Sequence, residues 1–231
     1  MTALSLVTSV VGIVNFAYAI YFQWYLVDIP ETVSKTRNLF GGPWKFLTFI
    51  NLWIQLFYFL ASFLNAIIGT EARSRPKSGR LQSTRDGLFA SLAFPIGMFV
   101  GVMFWGLFII DRDLVFPAKY DPYIPAFENH LLHTTVIPLQ LIELLTVFHV
   151  YPPRMKGMMV TALFCFGYLT WVCYIAYVGG FWVYPVFKVL TPVKRVGFMV
   201  VCAGFGALLY FTGEVAHYLL WGSSKEEKKR A

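Results

Sequence analysis

The chain has 231 residues, 58% of them hydrophobic and only 13% charged, with a mean hydropathy of +0.62. Soluble domains carry about 25% charged residues, so an ordinary water-soluble fold is excluded and a bilayer is the solvent this composition fits. The formal charge of +7 comes from Lys and Arg held in short segments between apolar runs, which excludes a nucleic-acid-binding face, and Cys165, Cys173 and Cys202 give neither a disulfide framework nor a zinc spacing.

A spanning helix needs about 20 mostly apolar residues. Six runs qualify, at residues 4–27, 46–70, 88–110, 130–151, 158–179 and 196–221. They predict an all-α polytopic membrane protein, six transmembrane helices in one bundle, forming a single membrane domain over residues 1–231 with a basic tail at 222–231. The first run lacks the basic flank of a signal peptide and reads as a retained helix. Eleven basic residues share one side of this arrangement: five in the 71–87 connection, Arg154 and Lys156 in the fourth, and Lys225, Lys228, Lys229 and Arg230 in the tail. Eight share the other, namely Lys35, Arg37, Lys45, Arg112, Lys119, Lys188, Lys194 and Arg195, so the positive-inside rule puts both termini in the cytosol. The connections at 28–45 and 111–129 contain FGGPW and VFPAKYDPYIPAF, a composition that predicts an interfacial lid over the outer end of the bundle.

Polar side chains inside a span cost free energy unless they are paired, so their positions carry information. In the second run Thr48, Asn51, Gln55, Tyr58, Ser62 and Asn65 fall along one helical face, which must look into the bundle. Interhelical hydrogen bonding is the ordinary use of such a face. The fourth run opens with Asn129 and NHLLHTT, and there His130, His133, Ile137 and Gln140 share a face. His149 and His217 lie toward the opposite side, so the histidines gather no metal-ligand set, and no metal or cofactor is implied.

Topology links the two faces. The second and fourth runs enter from the same side, with Thr48 and His133 each two or three residues past the entrance, roughly 3 to 5 Å deep at 1.5 Å rise per residue. A hydroxyl and an imidazole at matched depth are the minimal parts of a nucleophile and general base for acyl transfer. Thr48 also sits in the first turn of its helix, where unpaired backbone N–H groups are suited to an oxyanion. Glu143, ten residues beyond His133, is about 15 Å away along the helix and too far to orient that imidazole. It shares a level with Glu214, and the expected use of both acids is structural pairing with His217, a tyrosine or Asn15; a proton or ion path is the alternative. Two rival functions follow from these features: a small transporter or channel, motivated by that acidic level and by Pro95 and Pro138 within spans, and a non-catalytic regulatory membrane protein whose polar faces only fix packing.

Several segments together resemble one family, the androgen-induced transmembrane proteins. They are GGPWKFLTFI at 41–50, Arg85-Asp86 followed by Leu92-Ala93-Phe94-Pro95, Phe104-Trp105 with Asp111-Arg112-Asp113-Leu114, NHLLHTT at 129–135, Trp182-Val183-Tyr184-Pro185, and Gly213-Glu214. The resemblance implies a membrane-embedded threonine hydrolase that cleaves fatty acid esters of hydroxy fatty acids, with the family's nucleophile at Thr48 and its catalytic histidine at His133. The implied partner is a lipid substrate with two acyl chains. On that reading Asn129, one turn before His133, orients the imidazole, Asn51, one turn below Thr48, assists the oxyanion, and Lys45 meets the substrate carboxylate. The ending Lys228-Lys229-Arg230-Ala231 resembles a dilysine retrieval signal for the endoplasmic reticulum; contact of a basic tail with anionic lipid headgroups is the equal alternative, and the family resemblance also allows the plasma membrane. No feature argues for a particular oligomeric state.

Overall fold

The computed structural model describes residues 3–34 and 39–222. Lys35, Arg37 and the tail residues Lys225, Lys228, Lys229 and Arg230, which enter the charge count and the retrieval signal, lie outside the described residues. Every regular element among the described residues is helical: α1 (Ala3–Tyr21), α2 (Leu47–Ile68), α3 (Arg80–Leu88), α4 (Phe94–Ile110), α5 (Ala126–His133), α6 (Val136–Thr146), α7 (Arg154–Gly179), α8 (Val186–Val189) and α9 (Pro192–Trp221). A chain in hydrocarbon must satisfy its backbone internally, and a helix does so within one segment. Among the described residues five helices are long and apolar enough to cross a membrane: Ala3–Leu26, Leu47–Ile68, Arg80–Ile110, Arg154–Gly179 and Pro192–Trp221. These helices mark an integral membrane protein. Their outward faces are apolar, with Val7, Val11 and Val14 on α1, Met159, Leu163 and Phe166 on α7, and Val196 and Val200 on α9 all exposed.

Two runs differ from expectation. The third starts eight residues early, at Arg80, because α3 and α4 are joined through a π-helical turn at Phe89–Ala93. Charge does not end the helix there, since Arg85 and Asp86 are buried and partnered. Arg85 binds Asp86 and Glu71 at 2.8 Å each, and Asp86 accepts from the His149 ring at 3.1 Å and from the Val150 N–H at 3.0 Å. Pro95 has no N–H to offer the carbonyl of Ser91 four residues back, and the Thr161 hydroxyl on α7 donates to that carbonyl at 2.7 Å instead.

The fourth run is not one helix. It consists of α5 and α6, parted at Thr134 and Thr135, with extended chain from 147 to 153. Pro138 supplies the reason: it cannot donate to the Thr134 carbonyl, which accepts instead from Ile137 N–H at 3.1 Å, while the His130 carbonyl accepts from both Thr134 and Thr135. The α5–α6 pair still runs parallel to α2, with Thr48, Gln55 and Tyr58 meeting His133, Gln140 and Glu143 in turn. His133 lies against Thr48 near the start of α2, Tyr58 of α2 donates to Glu143 at 2.7 Å, and the Asp86 cluster receives Val150. The α2 polar face is buried as expected: Gln55 donates to Asn51 and to the Ala93 carbonyl and accepts from Gln140, and Ser62 accepts from Ser9. Glu143 takes a tyrosine partner, whereas Glu214 pairs with Arg154 at 2.8 Å, a partner that lies outside the runs considered for it. A cluster around Phe16, Leu52, Phe59, Phe89, Phe94 and Val136 forms the core that fixes α1, α2, α4 and α6 together.

Candidate active site

The turn GGPWK delivers the chain into α2. Gly41 and Gly42 both take positive φ (89° and 50°), a conformation that side chains with a Cβ rarely adopt, and Pro43 opens the short 3-10 helix Gly42–Lys45. Phe46 is extended and offers no side-chain cap. The first amide of α2 is satisfied from a distance in sequence: Leu47 N–H donates to the hydroxyls of Tyr168 and Tyr184, at 2.9 Å each, and those hydroxyls are 2.7 Å apart. Tyr168 in turn donates to the Lys45 carbonyl at 3.1 Å. The helix start is therefore clamped on both sides of Phe46, and Thr48 is its second residue.

Thr48 Oγ1 lies 3.2 Å from His133 Nε2. The other ring nitrogen, Nδ1, sits 2.9 Å from Asn129 Oδ1 and 3.1 Å from the Asn129 carbonyl oxygen. A carbonyl only accepts, so Nδ1 carries the hydrogen and Nε2 presents its lone pair to the Thr48 hydroxyl. The imidazole is also stacked on Phe104, with ring centroids 3.6 Å apart and planes within 10°. His133 is buried and Thr48 partly so. Both ring nitrogens and one ring face are thus held, the arrangement by which a general base is kept in one tautomer and one orientation.

Thr48, His133 and Asn129 line a cavity of about 280 Å³ whose wall is otherwise mostly apolar, including Phe46, Phe99, Met103, Phe116, Phe164 and Phe198. The connections expected to form a lid contribute Ile29, Pro43, Val115, Phe116, Tyr120 and Ile124 to this wall, and they are tied together by Lys119 Nζ donating to the Val33 carbonyl at 2.8 Å. Among the described residues no group of three His, Cys, Asp or Glu gathers as a metal site.

Two sequence assignments land elsewhere. Lys45 does not line the cavity: its side chain is fully buried, turned toward the Leu39 carbonyl at 3.5 Å and over the Phe46 ring at 5.3 Å, because the 3-10 turn carries it back under the connection. Asn51 lies one turn below Thr48 as expected, but it too is absent from the wall and its Oδ1 is taken by Gln55. His130 lies on the outside of α5, stacked on Trp105 and bonded to Thr134 at 2.9 Å. The residues that sequence reasoning passed over are Tyr168, Tyr184, Phe104 and Lys188. The resemblance touched two of them, Tyr184 through the WVYP segment and Phe104 through Phe104-Trp105, without giving either a role.

No solved structure matches this chain. It is 39% identical to the human androgen-induced gene 1 protein over 228 residues, covering 94% of this chain and 95% of that one. It is 32% identical to the human androgen-dependent TFPI-regulating protein over 215 residues, covering 91% of each, and 35% identical to the hamster (Mesocricetus auratus) protein of that name over 210 residues, 89% of each. The sequence model described as FAR-17a/AIG1-like protein matches residues 4–217, nearly the full length of the described chain, and the protein belongs to the FAR-17a/AIG1-like family.

Proposed function

We propose that the protein is an intramembrane carboxylic ester hydrolase with Thr48 as nucleophile and His133 as general base, acting on fatty acid esters of hydroxy fatty acids. The observation that carries this is the 3.2 Å contact between Thr48 Oγ1 and the lone-pair nitrogen of a fully positioned imidazole, in the wall of an apolar cavity. The hydroxyl oxygen attacks the ester carbonyl as its proton passes to Nε2. The tetrahedral intermediate collapses, the hydroxy fatty acid leaves with that proton, and an acyl-threonine remains. Water, deprotonated by the same Nε2, then releases the fatty acid and restores the hydroxyl. The α2 ladder begins with Ile50 N–H donating to the Phe46 carbonyl at 3.2 Å, so the amides of Thr48 and Phe49 have no acceptor within the helix. They take the oxyanion role in place of Asn51. An apolar cavity suits acyl chains, and a nucleophile with a methyl on its reacting carbon suits a site held rigidly between helices.

The same reading takes the α5–α6 pair as a sixth pass, which puts both chain ends on the cytosolic side of an endoplasmic reticulum or plasma membrane. The test is hydrolysis of a long-chain ester of this class by the purified protein in detergent. Thr48→Ala and His133→Gln are expected to lose at least about a thousandfold in kcat while eluting as folded protein, and Thr48→Ser to retain turnover. An inert native protein, or full rate in either of the first two variants, ends the hydrolase reading.

A further inference from the structure

The cavity wall contains one cationic side chain of Lys or Arg type among the described residues, Lys188, and no Asp or Glu. The Lys188 side chain makes no hydrogen bond or ion pair with the described residues. Its neighbours in the surrounding connections are engaged or turned away. Lys45 is buried beneath its turn, Arg112 pairs with Asp121, Lys119 donates to the Val33 carbonyl, and Arg195 donates to the Phe187 carbonyl at 2.6 Å while stacking on Trp182. Lys194 is exposed and does not line the cavity.

The position of Lys188 relative to the reacting pair is fixed through one segment. Tyr184, whose hydroxyl accepts from the amide preceding Thr48, is followed by the helical turn in which Lys188 N–H donates to the Pro185 carbonyl at 2.8 Å. Four residues of helix rise about 6 Å. The segment that clamps the nucleophile's helix therefore also carries a cation one turn farther on, on a residue that both lines the cavity and is exposed. A mostly apolar cavity with a single cation unpaired among the described residues selects an amphiphile: a long apolar body with one anionic end.

We propose that Lys188 is the subsite for the free carboxylate at the end of one arm of the ester, so that the charged end stays at this exposed residue while the ester bond reaches Thr48. The identity of the ester rests on the hydrolase reading; the cation and its place in the wall do not. The test uses an ester of a hydroxy fatty acid with its carboxylate free and the same molecule as its methyl ester, each given to the native protein, Lys188→Met, Lys188→Glu and Lys188→Arg. Lys188→Met should raise KM for the free acid about three- to tenfold, with a much smaller change for the methyl ester. Lys188→Glu should raise it further, and Lys188→Arg should restore the native preference. An unchanged preference in Lys188→Met, or equal losses on both substrates, overturns the subsite and assigns the lysine to a lipid phosphate or to packing. Should the native protein cleave neither ester, the hydrolase reading fails separately, and the subsite is read from the thermal shift produced by oleate against methyl oleate. Stabilisation by oleate alone, lost in Lys188→Met, upholds it; equal stabilisation of both proteins overturns it.

Discussion

At the level of single residues, the imidazole of His133 is restrained by three contacts of unequal weight. Nδ1–H has two acceptors on one residue, the side chain and the backbone carbonyl of Asn129. Asn129→Ala removes only the first, so the tautomer survives on the backbone bond and the loss is that of one hydrogen bond, about 1 kcal/mol or roughly a fivefold to tenfold fall in kcat. Steady-state kinetics of that variant checks this, and a loss as complete as that of His133→Gln would show that the backbone bond does not hold the ring. Depth explains why Thr48, His133 and Asn129 were legible in the sequence: helical rise and spacing are fixed quantities, so residues at matched distances from two entrances on one side arrive at one level. Direction was not legible for Lys45, whose side chain follows the path of a non-helical turn. Tyr168 and Tyr184 were hidden for another reason. A tyrosine in an apolar run reads as packing, and their partner Leu47 lies 121 and 137 residues away along the chain.

At the level of elements, the contact between Thr48 and His133 depends on how closely α4 approaches the α5–α6 break. Gly97 and Gly101 make that approach: a Cβ on Gly101 would stand 2.7 Å from Ile137 and 2.9 Å from the His133 carbonyl, and one on Gly97 would stand 2.8 Å from Val136 of α6 and 2.6 Å from Gln55 of α2. Four-residue spacing of small residues is a helix-packing device in membranes, here used within the chain. Gly101→Ala is therefore expected to push α5 off α4, lowering Tm by several degrees for a cost of about 1–3 kcal/mol and cutting turnover about tenfold or more. Gly106→Ala on the same helix meets nothing within 4 Å and should be neutral or slightly stabilising, which separates the clash from a general intolerance of alanine. Paired melting curves and rates decide it. This glycine pair was not singled out in the sequence, where small-residue spacing is not prominent, and nothing in a single apolar run names its neighbour. Five of the six apolar runs form continuous helices, because length and hydropathy suffice for them. The fourth breaks because Pro138 removes a backbone donor one turn after His133, a local effect that an average over a window conceals.

At the level of the whole molecule, the two ends of the bundle are built on the same plan with different outcomes. Near Thr48 a histidine stacks on Phe104 and faces a cavity; at the other end His149 stacks on Phe89, with centroids 3.8 Å apart, and is bonded to Asp86 inside a closed charge cluster with Arg85 and Glu71. The α5–α6 pair joins these ends, and whether it crosses the bilayer decides the topology of everything after it. Six crossings put positions 77 and 156 on one side and positions 119 and 194 on the other. If the pair enters and returns, position 119 shares a side with 156 instead. Single cysteines at these four positions, Lys77→Cys, Lys119→Cys, Lys156→Cys and Lys194→Cys, in a chain with Cys165, Cys173 and Cys202 replaced by alanine, report the side when intact vesicles are treated with a membrane-impermeant maleimide. The hydrogen bonds favour crossing, since the chain after His133 meets α2 at Tyr58 and then the Arg85 cluster near the opposite end of α2, beyond the reach of a segment that turned back midway. The expected pattern is labelling of 119 and 194 from one side only and of 77 and 156 only after permeabilisation, or the reverse if the vesicles are inverted. Labelling of 119 together with 156 would remove the sixth crossing and, with it, the reading that both chain ends lie on one side of the membrane.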